Sequence, residues 1–261
     1  MLENTFLHLP HIGLKTEIEL WRQGILTWDD LELHLKSWPP SLERRRQMAN
    51  QLQESREHLG QAAYFCSRLP SNERWRLYRD FQHQCGFLDI ETTGISSEDH
   101  DITVIGLFDG KQMHHFINGE NLTEFEDAIE SYDLLITFNG SRFDLPFIAA
   151  FFHNFQFRQA HIDLLYVARR LGYRGGLKSI EPLFGIFREP EIQEMRGYEA
   201  VILWQHHLQG DPDALPRLLL YNQADVVNLK IIMHIAWERL QQELENKAGR
   251  LLPFNLVNGK R

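Results

Sequence analysis

The chain has 261 residues, 43% hydrophobic and 24% charged, a balance suited to one large domain or one domain with a smaller appendage. No apolar run reaches eighteen residues, and Leu2–Ile12 is interrupted by Glu3, Asn4, His8 and Pro10, so neither a membrane span nor a secretory leader is expected. The net charge of −9 speaks against broad, charge-driven binding of a polyanionic duplex, although the acidic excess lies wholly after residue 80, where 25 Asp and Glu face 16 Lys and Arg.

In chain order, Leu14–Leu35 has helix-like apolar recurrence, broken at Gly24 and restarted at Thr27, a suitable N-cap. Trp38-Pro39-Pro40-Ser41 is a break. Ser41–Phe65, with Arg44-Arg45-Arg46 near its start, reads as one long amphipathic helix, and Asn72–Phe81 as another. From Gly86 the period changes. Gly86–Ile90 is a buried strand stopped by Thr92-Thr93-Gly94, and Ile102–Phe108 is a second. Asp109-Gly110 predicts a two-residue hairpin into Lys111–Ile117. A helix from Asn121, a strand at Leu134–Phe138, a helix from Leu145, a short strand at His161–Leu164 and further helices complete the pattern. The expectation is an α/β mixed sheet flanked by helices (84–240), after a small helical N-terminal region (1–80) and before a C-terminal tail (241–261) that frays from Asn255. Cys66 and Cys85 lack CxxC spacing and read as reduced thiols, in keeping with a cytoplasmic location.

Three short segments concentrate the chemistry. In Asp89-Ile90-Glu91, strand alternation puts both carboxylates on one side and Ile90 on the other. Two acids so close repel unless a cation sits between them. Asp144 falls where the loop Asn139–Phe143 becomes a helix, with Pro146 in the first turn. Tyr221 and Asp225 lie four apart on one helix face. Four carboxylates from three elements suit two hard cations such as Mg²⁺, of the kind that activate water against a phosphodiester. Asp89 would bridge both ions, Glu91 and Asp225 would complete the first site, Asp144 would serve the second, and Tyr221 would orient the water.

These segments, Phe87–Gly94, Asn139–Asp144 and Tyr221-x-x-x-Asp225, resemble the three exonuclease motifs of the DEDD superfamily, in its tyrosine subtype. The layout is similar to that of the YprB-like bacterial exonucleases, which carry a ribonuclease H-like domain; the N-terminal Phe6–Gly13, Leu20-Trp21, Gly24-Ile25 and Thr27-Trp28 match them as well. The resemblance implies a ribonuclease H-like fold and 3′→5′ removal of nucleotides from single-stranded DNA or RNA with Mg²⁺ or Mn²⁺. The other readings are a non-catalytic nucleic-acid-binding module on a nuclease scaffold and a structure-specific endonuclease using the same site.

Arg142 and Lys178 are candidate contacts to substrate phosphate, and Phe143, Phe147 and Tyr173 candidate stacking groups for terminal bases. Asp163 reads as a helix cap or a fifth acid near the site. Gly175-Gly176-Leu177-Lys178-Ser179 lacks the full phosphate-loop pattern. Pro10–Thr16 resembles half of a helix-hairpin-helix, a phosphate-binding turn. His153, His161, His206 and His207 have no zinc-ligand spacing.

Overall fold

The apolar runs that begin at Cys85 become the strands of one sheet. The computed structural model describes residues 1–36, 41–153 and 155–255, and the predicted break at Trp38–Pro40 and the end of the fraying tail lie outside them. The chain divides into two units, Met1–Gln82 with Trp237–Arg261, and His83–Ala236.

The first unit holds α1 (Leu14–Arg22), α2 (Trp28–His34), α3 (Leu42–Glu57), α4 (Ala62–Arg68) and α5 (Tyr78–Phe81), and it buries the rings of Phe6, Trp21, Trp28, Phe65 and Trp75, with Trp28 stacked on Phe65. Thr27 caps α2 as expected from the sequence, and the structure adds a reciprocal capping box with Asp30. Two expectations are corrected. The helix expected over Ser41–Phe65 stops at Glu57, because His58–Gln61, with Gly60, make a turn before α4. The segment from Asn72 is mostly a 3-10 helix (Ser71–Leu77), in which Arg76 is buried between Glu17 and Glu73. Nor is the segment from 241 a tail. Leu244, Ala248, Leu252 and Phe254 are buried, and the Phe254 ring packs edge-on against Trp21.

The second unit is built on a five-stranded mixed sheet of order β3-β2-β1-β4-β5, from β1 (Cys85–Thr92), β2 (Ile102–Phe108), β3 (Met113–Ile117), β4 (Leu134–Thr137) and β5 (Ala160–Asp163). The first three strands pair antiparallel; β4 and β5 add on parallel to β1. The turn between β2 and β3 has four residues rather than two, since the Asp109 side chain accepts hydrogen bonds from the backbone N–H groups of both Lys111 and Gln112. α6 (Phe125–Ile129) and α7 (Asp144–Phe151) contribute to an apolar cluster with Leu88, Ile90, Ile105, Leu107 and Leu135. A second cluster joins Val104 and Ile117 of the sheet to the helices that close the unit. These follow α8 (Leu164–Arg170), α9 (Leu177–Ile180) and α10 (Pro190–Gln193), and are α11 (Gly197–Leu208) and α12 (Ala214–Ala248). Leu218, Tyr221, Asn222, Asp225, Val226 and Leu229 form the buried stripe of α12, at the three- and four-residue spacing of one helix face. Among the described residues no helix is long and apolar enough to cross a membrane.

Candidate active site

Alternation along β1 sends Leu88 and Ile90 into the cluster with α7, and Asp89 and Glu91 to the opposite face, towards α12. The ladder register shifts between Glu91 and Thr92, so the strand bends just beyond the acids. Carboxylate oxygens of Asp89, Glu91 and Asp225 lie within 4.8 Å of one another. Close approach of α12 depends on a glycine. Gly106 pairs with Asp89 across β1 and β2, and a Cβ there would stand 2.0 Å from Asn222 Oδ1. The bare position lets Asn222 reach Asp89, donating from Nδ2 to Oδ2 at 3.2 Å.

Asp144, first residue of α7, is fixed from β1: its Oδ1 accepts from the Ile90 N–H at 3.2 Å. Asp163 organises the loop that delivers it. Its carboxylate accepts from the N–H groups of Asn139 (2.7 Å) and Ser141 (3.2 Å) and from the Ser141 hydroxyl (2.5 Å), and it caps α8 through Leu165 N–H at 3.0 Å. Asn139 takes the left-handed conformation (φ 65°) that ends β4, at the tolerant residue type for it. Asp163 is therefore a cap and loop clamp, one of the two roles its position allowed.

Asp89, Glu91, Asp144, Tyr221 and Asp225 line a common cleft of about 530 Å³, walled also by Phe138, Phe143, Ile95 and the α11 residues Tyr198 and Val201. Lys178 joins the site by donating to the Tyr221 hydroxyl, with its Nζ 4.0 Å from Asp225 Oδ2. Arg142 is exposed and does not line the cleft. Two of the expected stacking rings are elsewhere: Phe147 is buried in the core under the sheet, and Tyr173 packs against Phe184. Residues unforeseen in the sequence complete the surroundings. Arg188 forks onto Glu181, with Nε–Oε2 2.8 Å and Nη2–Oε1 2.5 Å, and also donates to Asp225 Oδ1; Asn228 Nδ2 donates to Glu181 Oε1 at 2.9 Å. Only the two asparagines had a local signal, since Asn222 lies three residues before Asp225 and Asn228 three after it, on the α12 face of Tyr221 and Asp225.

Burial and mutual repulsion dominate the electrostatics. Burial, then the charges of Asp225, Asp144 and Glu91, push the Asp89 carboxyl well above its ordinary range; burial and Asp225 do the same for Glu91. Burial raises Asp144 to about 7, with the Asp163 and Asp225 charges adding to it. Asp225 is also raised, burial outweighing Arg188 and Lys178. Burial and the neighbouring carboxylates likewise hold the Tyr221 phenol protonated. A divalent cation suits this set. Every donor is a hard oxygen, and among the described residues Glu91 Oε1 is buried without a hydrogen-bond partner.

Residues 86–237 match the RNase_H superfamily. Among solved structures, the family B DNA polymerase from the hyperthermophilic archaeon Pyrobaculum calidifontis is similar over 66% of this chain and 26% of its own length, at 15% identity and a TM-score of 0.48. This chain thus spans about a quarter of that polymerase. No curated protein matches it. The family match takes in the sheet from Gly86 onward, the acidic cleft and α12 as far as Trp237, and the chain belongs to the RNase_H superfamily.

Proposed function

We propose that the second unit is a metal-dependent 3′→5′ exonuclease. It hydrolyses phosphodiester bonds of single-stranded nucleic acid with two Mg²⁺ or Mn²⁺ ions, in the manner of the tyrosine-subtype DEDD and YprB-like enzymes, in the cytoplasm. The observation that carries this reading is the gathering of the Asp89, Glu91 and Asp225 carboxylates within 4.8 Å, beside Tyr221, in a domain of the RNase_H superfamily. Asp89, Glu91 and Asp225 would hold one ion, and Asp89 with Asp144 the other. Ions bound there supply Lewis-acid activation of the attacking water and offset charge on the departing oxygen.

The protein groups do the positioning. With its oxygen accepting from Lys178 and its own proton retained, the Tyr221 phenol has one hydrogen to donate, which suits it to align a water or a phosphate oxygen and not to act as base. Lys178 is only partly buried and can exchange its contact with Asp225 for a substrate phosphate. Phe143 and Tyr198 offer ring faces to unstacked terminal bases, a mode that favours single strands.

The test is digestion of 5′-labelled single-stranded DNA and RNA with Mg²⁺ or Mn²⁺, beside Asp89→Asn and Asp225→Asn. A ladder shortening from the 3′ end, absent in both variants and in chelator, is the expected result and identifies the polymer. Internal cuts would replace the exonuclease with an endonuclease. Binding without cleavage in any divalent ion would leave a non-catalytic module.

A further inference from the structure

Glu181, Arg188 and Asn228 stand behind Asp225 as a buried network. The Arg188 side chain is 4% exposed and that of Glu181 3%, which is unusual for charged groups. A buried ion pair gives little net stability compared with an apolar pair of the same size, so stability alone is a poor reason for one here. Its geometry supplies a better one. Both guanidinium contacts to Glu181 run in parallel, and the Asn228 amide holds one of the same Glu181 oxygens from the helix turn after Asp225. Arg188 therefore cannot turn away without stranding Glu181, and the Nη2 that it extends to Asp225 Oδ1 is fixed in place.

The consequence falls on Asp225. A lone carboxylate on a helix can rotate to present either oxygen. Here Oδ1 is claimed by Arg188, and Oδ2 faces Lys178, a side chain 31% exposed and able to move away. Resting on the reading of Asp89, Glu91 and Asp225 as metal ligands, we propose that Glu181, Arg188 and Asn228 are positioning residues that lock the Asp225 carboxylate with Oδ2 open, and so set the affinity of the cleft for a divalent ion. Outer hydrogen bonds of this kind typically change metal affinity about 10- to 100-fold when removed. The contrary role, an internal cation that competes with the ion for Asp225, predicts the opposite sign.

Mn²⁺ titration of the full chain without nucleic acid, read from the electron paramagnetic resonance of free Mn²⁺, separates the two. The variants are Asn228→Ala, Arg188→Lys, and Arg188→Met combined with Glu181→Gln, which removes both charges of the Arg188–Glu181 pair together; circular dichroism in chelator checks their fold. The expected dissociation constant rises about 10- to 100-fold in the double variant and less in Asn228→Ala and Arg188→Lys. At saturating Mn²⁺ turnover recovers, while KM for an oligonucleotide stays at the wild-type value. Unchanged or tighter Mn²⁺ binding in folded variants would overturn the positioning role and leave the metal reading intact. Should the double variant not fold, Asn228→Ala decides by the same criterion. Failure of the wild type itself to bind Mn²⁺, with Asp225→Asn behaving identically, would instead remove the metal site and this inference with it.

Discussion

Replacing Asp144 with Asn changes the ionisation of one buried carboxylate while sparing its contacts. The amide oxygen can still accept from Ile90 N–H, and the side chain keeps its size. Burial, helped by the Asp163 and Asp225 charges, raises the Asp144 carboxyl from 3.8 to about 7. A raised folded pKa means that the native state binds more protons than the unfolded chain between those two values. Stability therefore falls as pH rises through this window, and the loss is complete above the folded pKa. A displacement of that size corresponds to about 4 kcal/mol. Urea unfolding in chelator from pH 4 to 8 measures it. Wild type and Asp144→Asn should differ least near pH 4, and the variant should gain on the wild type by about 4 kcal/mol by pH 8. Mn²⁺ at one hundred times its dissociation constant should return about 2.7 kcal/mol to the wild type at pH 8. Parallel pH curves for the two proteins would refute the reasoning, since they would mean that the Asp144 carboxyl carries no strain from its surroundings.

Other consequences are more local. Tyr221→Phe removes a hydrogen-bond donor from the cleft and should lower kcat about 100-fold with little change in oligonucleotide affinity; an equal loss in binding would make Tyr221 a substrate contact instead. Gly106→Ala brings a Cβ 2.0 Å from Asn222 Oδ1 and 2.8 Å from Val226 Cγ2, so chemical denaturation should show a loss of about 1–3 kcal/mol. Weaker Mn²⁺ binding should accompany it, because Asn222 must release Asp89. Asp163→Ala frees three N–H groups and a hydroxyl and should destabilise by about 3 kcal/mol, with Asp163→Asn losing less.

The cluster of acids was legible because each segment lies on a regular element whose period fixes its face. Alternation in β1 was enough to pair Asp89 with Glu91, and the helical spacing of Tyr221 and Asp225 held in α12. Elements came through less well where side chains override local pattern. Asp109 turned an apparent two-residue hairpin into a four-residue one by accepting from two backbone N–H groups. The residues from 241 looked like a tail because their apolar partners, such as Trp21 for Phe254, lie more than two hundred positions away.

Arg188 was illegible for a related reason. Between α8 and α11 the chain has only short helical turns, which impose no period, and the contacts of Arg188 and Asn228 reach 37 residues to Asp225 and 47 residues to Glu181. Nothing in Phe187-Arg188-Glu189-Pro190 marks a buried guanidinium. What an ion needs in its first ring of ligands is a few acids at regular spacing, which one sequence can display. What fixes those acids is an irregular segment whose value appears only when it is folded against them. The two halves should therefore respond differently to mutation: changes in the acids abolish binding, and changes in the frame shift it by a measurable factor.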